Sequence, residues 1–163
     1  MRAAYRTFPG PDGSILYYPL IRVRVGKKRG RTTRFFEVLV DSGAAECMFP
    51  ASIASAIGIN IESGKKDSRN GIGGSQDVWI HPIVLYVGEH ALHINAAFAK
   101  TLPIAGLLGR VGFFEHFKIT FDPTSDPPAL NWNEFIKPDC ASDLISSPTT
   151  SRLEPLDWHN FSF

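Results

Sequence analysis

Apolar and charged residues alternate early in the chain. Ile21, Val23 and Val25 are separated by Arg22 and Arg24, the two-residue period of a strand with one buried face, and the strand-like stretch begins at Ile15. Thr32 to Val40 repeats the pattern, with Phe36, Val38 and Val40 on one side. The basic run from Gly26 to Arg31 lies between the two stretches, so they are expected to form a hairpin with a solvated tip. Farther on, Val78 to Val87 and Leu92 to Phe98 read as strands divided by Gly88-Glu89, and Lys118 to Asp122 and Leu130 to Phe135 as shorter ones. Helical signals are sparse. Pro50 to Ile57 carries proline in its first turn and Gly58 as a stop, and Phe113 to Phe117 has room for one helical turn. Lys65 to Gln76 is polar and holds Gly71-Ile72-Gly73-Gly74, the tip of a flexible hairpin. The pattern predicts a mostly β fold with one or two short helices.

The organisation follows from composition. Residues 1–13 end in Pro9-Gly10-Pro11-Asp12-Gly13 and are expected to be irregular. Residues 14–137 form the expected domain. From Pro138 onward Ser, Thr, Pro and Asp dominate, so 138–163 is expected to be a poorly ordered tail, with Trp158, Phe161 and Phe163 available to dock. A hydrophobic fraction of 44% supports one core, and a net charge of +1 gives no electrostatic ground for a nucleic-acid or membrane-surface partner. No apolar stretch approaches the roughly 20 residues of a membrane helix, and no apolar leader core follows Arg2 and Arg6. Two cysteines, Cys47 and Cys140, make no disulfide framework and suggest a reducing, cytoplasmic setting.

The sharpest chemical feature is Val38-Leu39-Val40-Asp41-Ser42-Gly43-Ala44. Asp, Ser and Gly are all turn residues, and the tripeptide by itself is an ordinary surface turn. Here it follows the apolar run Phe35 to Val40 and precedes a mostly apolar stretch, so the carboxylate is expected to end a buried strand. An Asp so placed can meet a second Asp across a water. Two carboxylates that close cannot both ionise, so they share one proton; the ionised partner deprotonates the water and the protonated one polarises the scissile carbonyl. Gly43 would allow close backbone approach, and the Ser42 hydroxyl and Ala44 would support the turn. Other chemistries fit less well. Ser42 lacks a nucleophile elbow, His90 and His93 fall in a strand or turn that spoils metal geometry, and no phosphate-cradling loop occurs, so no metal and no cofactor are expected.

Ile104-Ala105-Gly106-Leu107-Leu108-Gly109-Arg110 follows downstream. An Asp-Ser-Gly-Ala turn, a helix, a Gly-rich hairpin and an apolar pair before Gly-Arg, in that order over residues 15 to 122, resembles the retropepsin-like aspartic protease family, including its single-domain bacterial and cellular relatives. The resemblance implies a closed β-barrel, with Asp41 catalytic and Leu107, Leu108 and Gly109 on a strand behind it. It also implies a helix over Val111 to Phe117 and a flap at Gly71, Ile72, Gly73 and Gly74 that closes over a peptide or protein substrate. Arg110 would be structural, and Glu46 is the nearest acid to pair with it. Only one Asp-Ser-Gly occurs and no internal repeat supplies a second, so a two-fold homodimer is implied. The reading from a different class is a catalytically silent module of the same fold that dimerises or binds peptide.

Overall fold

The computed structural model describes residues 1–71 and 74–134. Two strands fall inside the expected irregular start, β1 (Arg2–Ala4) and β2 (Arg6–Pro9). The stretch expected as one strand from Ile15 is two, β3 (Ile15–Tyr18) and β4 (Leu20–Gly26). Pro19 divides them because it has no N–H to give a ladder. Strand β5 (Phe36–Val40) is shorter than expected. Residues 32–35 keep only a bridge from Thr32 to Gly26 and bonds between Thr33 and Val25, whose carbonyl accepts the Thr33 N–H at 2.8 Å, and Phe35 is exposed, with the guanidinium groups of Arg22 and Arg24 5.2 and 4.9 Å from its ring centre.

Next come β6 (Met48–Pro50), helix α1 (Ala51–Ala56) and a 3-10 turn at Ile61–Ser63. Gly58, at φ 75°, ends the helix in the left-handed conformation that glycine adopts without strain. The chain continues through β7 (Lys65–Gly71), β8 (Gly74–Val87), β9 (His90–Ala99), β10 (Leu107–Leu108), β11 (Phe117–Asp122) and β12 (Ala129–Glu134). The helix expected over Val111 to Phe117 is absent. Gly112 sits at φ 94°, and a run of turns, with the His116 N–H donating to Phe113 at 2.9 Å, lets both Phe113 and Phe117 reach the core. Phe135, Cys140 and the expected tail lie outside the described residues.

Six strands close into a barrel in the order β4-β5-β10-β6-β9-β8, and β8 returns to β4 through Val23↔Val87 to Gly26↔Val84. Strand β7 continues outward from β8. The three-stranded sheet β1-β12-β11 and the ribbon β2-β3 stand apart from the barrel ladder. Alternation fills the interior. Ile21, Val23, Val25, Val38, Val40, Phe49, Leu85, Phe98 and Leu108 are all buried in one cluster, each large side chain stabilising the fold by roughly 1.5–3 kcal/mol. The two-residue strand β10 matters most for the site. It lies parallel to β5 and antiparallel to β6, so the end of β5 and the turn after it are wedged against residues 106–111 at the barrel mouth.

Candidate active site

Asp41 follows the last residue of β5 directly. Its N–H donates to the Leu108 carbonyl at 3.1 Å, extending the parallel register Leu107↔Leu39 and Leu108↔Val40 by one residue. The Gly43 N–H donates to Asp41 Oδ1 at 2.8 Å and the Ala44 N–H to the Asp41 carbonyl at 3.2 Å. The carboxylate therefore caps its own turn, as Asp does in tight turns. Oδ2 has no hydrogen-bond partner among the described residues. A Cβ on Gly43 would stand 3.1 Å from Asp41 Oδ1, closer than the carboxylate comfortably allows. Asp41 and Ala44 are half-buried, whereas Ser42 and Gly43 are exposed.

The segment behind the turn is tied to it by backbone bonds. The Arg110 N–H donates to Ala44 at 3.0 Å, the Val111 N–H to Ala45 at 2.9 Å, and the Cys47 N–H to Val111 at 3.2 Å. Leu108 is fully buried, while Leu107 is half-buried and reaches the cleft. Gly109 lies so close to the Glu46 backbone that a Cβ there would overlap it, which explains a glycine after the two leucines. Burial pushes the Cys47 thiol up to about 12.

Arg110 does not pair with Glu46. Its side chain is exposed, and its backbone alone holds the crossing. Glu46 instead receives the Arg69 guanidinium, which reaches over from β7 in a close ion pair and also meets Asp67 at 2.7 Å. These hydrogen bonds, to Glu46 first and Asp67 second, push Arg69 further above its usual range. In return Arg69 holds the Asp67 carboxyl below the usual range.

The β7–β8 hairpin forms the opposite wall. Gly71 pairs with Gly74, which sits at φ 100°, and Ile72 and Gly73, expected at the tip, lie outside the described residues. The Gln76 amide donates to the Thr101 carbonyl and ties the hairpin to the segment after β9. Between hairpin and turn lies a cleft of about 1200 Å³. Asp41, Gly43 and Ala44 line one side, Arg69, Asn70, Gly74, Ser75 and Gln76 the other, and Lys100 to Pro103 an end. Of the sequence-derived residues, Asp41, Gly43, Ala44, Gly74 and Leu107 line this cleft; Ser42, Leu108, Gly109 and Arg110 do not. Arg69, Gln76 and Thr101 escaped sequence reasoning, and Glu46 was expected to meet Arg110 rather than Arg69. Arg69 stands in a polar run whose local pattern carries no sign of a partner 23 residues earlier. Among the described residues, no three His, Cys, Asp or Glu side chains gather as a metal site, and no helix is long and apolar enough to cross a membrane.

No family model matches this chain, and no curated protein matches it. Among solved structures it is similar to an EIAV protease complexed with the inhibitor HBY-793, at 18% sequence identity and a TM-score of 0.45, over 57% of this chain and 82% of that one.

Proposed function

We propose that this chain is one half of a homodimeric aspartic endopeptidase of the retropepsin type. The observation that carries the reading is the carboxylate of Asp41. It is fixed by backbone bonds at the end of a barrel strand, with Oδ2 unpartnered among the described residues, on the wall of a cleft that a hairpin covers from the other side. One such carboxylate cannot both take a proton from water and polarise a carbonyl. A second copy related by a two-fold axis supplies the other.

In the proposed reaction the two Asp41 carboxylates share one proton and hold a water between them. The ionised one accepts a proton as the water attacks the peptide carbonyl, and the protonated one donates to the developing oxyanion. The Ser42 hydroxyls would steady the two turns against each other. The substrate would lie extended under the β7–β8 hairpin, bonding through its backbone while alternate side chains enter the cleft. The β7–β8 hairpin acts as the flap. In this reading the hairpin opens for the peptide and closes to exclude water. Leu107, Leu108 and Gly109 back the turn. The buried free thiol of Cys47 supports a reducing, cytoplasmic setting.

Cleavage of a diverse peptide library by the wild type and by Asp41→Asn tests the reading. The substitution should lower the rate by about 10³-fold or more, because it removes the only proton acceptor while keeping the Oδ1 acceptor for Gly43. A folded, dimeric wild type that cleaves no peptide would assign the chain to the second reading, a silent module of the same fold.

A further inference from the structure

We infer that the β2–β3 ribbon is a docking arm for a second copy of this chain, the two ribbons pairing through β3 across a two-fold axis. The inference rests on the homodimer reading above. Every residue of both strands is exposed, and a two-stranded ribbon standing in water is marginal by itself. Yet β3 is wholly apolar or aromatic: Ile15, Leu16, Tyr17 and Tyr18 are between 38% and 60% exposed, with Phe8 opposite Leu16. A cluster of that kind marks an interaction surface.

The strand period sorts the ribbon into two faces. Arg6, Phe8, Leu16 and Tyr18 share one, and Thr7, Pro9, Ile15 and Tyr17 the other. The first is anchored to the barrel and to itself. Arg6 Nε donates to Glu37 on β5 at 2.9 Å, and the Phe8 and Tyr18 rings meet edge to face with centres 5.4 Å apart. The second face has no such anchor among the described residues, and it carries the two most exposed members of β3.

Three observations select a second copy as the occupant. Strand β3 bears no charge, so laying it against itself opposes no like charges, as a self-complementary two-fold contact requires. Among the described residues β3 pairs only with β2, and its other edge has neither lysine nor proline to repel an incoming strand. Finally, β3 runs into Pro19, whose carbonyl accepts the Val40 N–H at 3.0 Å. The arm thus springs from beside the strand end whose Asp41 must meet its counterpart.

The test uses the full chain. Sedimentation should show a dimeric wild type, and Ile15→Glu combined with Tyr17→Glu should raise its dissociation constant by about 100-fold or more. Circular dichroism checks that the double variant folds. Independently, Tyr17→Cys in a Cys140→Ser background should form a covalent dimer under mild oxidation. Phe121→Cys in the same background, exposed on β11, should not; the native Cys47 is buried and silent. A double variant that dimerises as tightly as wild type, a monomeric wild type, or no cross-link at position 17 overturns the arm. Arm-dependent dimers that cleave nothing keep this inference and sink the protease reading. A double variant that stays dimeric and cleaves peptide does the reverse.

Discussion

The two walls of the cleft are built in opposite ways. The Asp41 wall is knit by backbone hydrogen bonds from Leu39 to Val111 and backed by Phe49, Cys47 and Leu108, none of which meets solvent. The hairpin wall is laddered within itself from Lys65↔Ile80 to Gly71↔Gly74, but among the described residues its part beyond Val78 is fastened to the rest of the molecule by side chains. Lys66 holds Asp77 at 2.7 Å, but the two side chains are 61% and 55% exposed, and such pairs contribute little. Among the described residues, only Arg69 to Glu46 joins the hairpin to the opposite wall from a partly buried position. The first construction keeps a carboxylate in place, and the second would let the hairpin lift in the proposed reaction. Low local stability is what a moving element requires.

Paired glycines sharpen the comparison most. Gly109→Ala should cost about 3 kcal/mol in denaturant unfolding, because its Cβ meets Glu46 backbone that cannot move without breaking the crossing. Gly74→Ala meets nothing within 4 Å among the described residues and should cost only about 1 kcal/mol, the strain of its positive φ. Equal losses at the two positions would break the contrast.

Glu46→Gln comes next. Removing the latch charge should destabilise the chain by about 1 kcal/mol at most and speed amide exchange in β7 and the start of β8 several-fold, with β5 and β10 unchanged. Acceleration spread evenly over both walls would contradict a local latch. The smallest effect is a pH effect. The Asp67 carboxyl is held below its usual range by Arg69, so its contribution is present above the unfolded carboxyl range and is lost as pH falls through its lowered folded value. Hairpin protection, corrected for intrinsic exchange, should therefore fall below about pH 4, with a smaller change in Asp67→Asn.

The same contrast explains what was legible in the sequence. The alternation in β4 and β5 is visible because a barrel strand buries every second residue, and Asp41 at its end follows from that register. The Gly-rich hairpin and the Leu107-Leu108 strand are local patterns too. Strand β1 was not legible, since its partner Asn131 lies far away in the chain and its three residues have no periodicity to read. Phe113 to Phe117 resembled a helical turn because aromatic spacing alone does not report the positive φ of Gly112. Arg110 looked like the partner of Glu46 because the resemblance pairs that arginine with an acid after the catalytic turn, and Glu46 is the nearest one there. The choice of Arg69 depends on how the hairpin folds over, which no local pattern encodes.

The central claim is that two copies of Asp41 make one active centre, and subunit mixing tests it most directly. Wild type would be mixed with an equal amount of Asp41→Asn, allowed to exchange, and assayed against wild type at the same total concentration. If each centre needs both carboxylates, only about a quarter of the dimers are competent and activity falls to about a quarter. A fall to about one half would mean that each subunit works alone, contradicting the shared site.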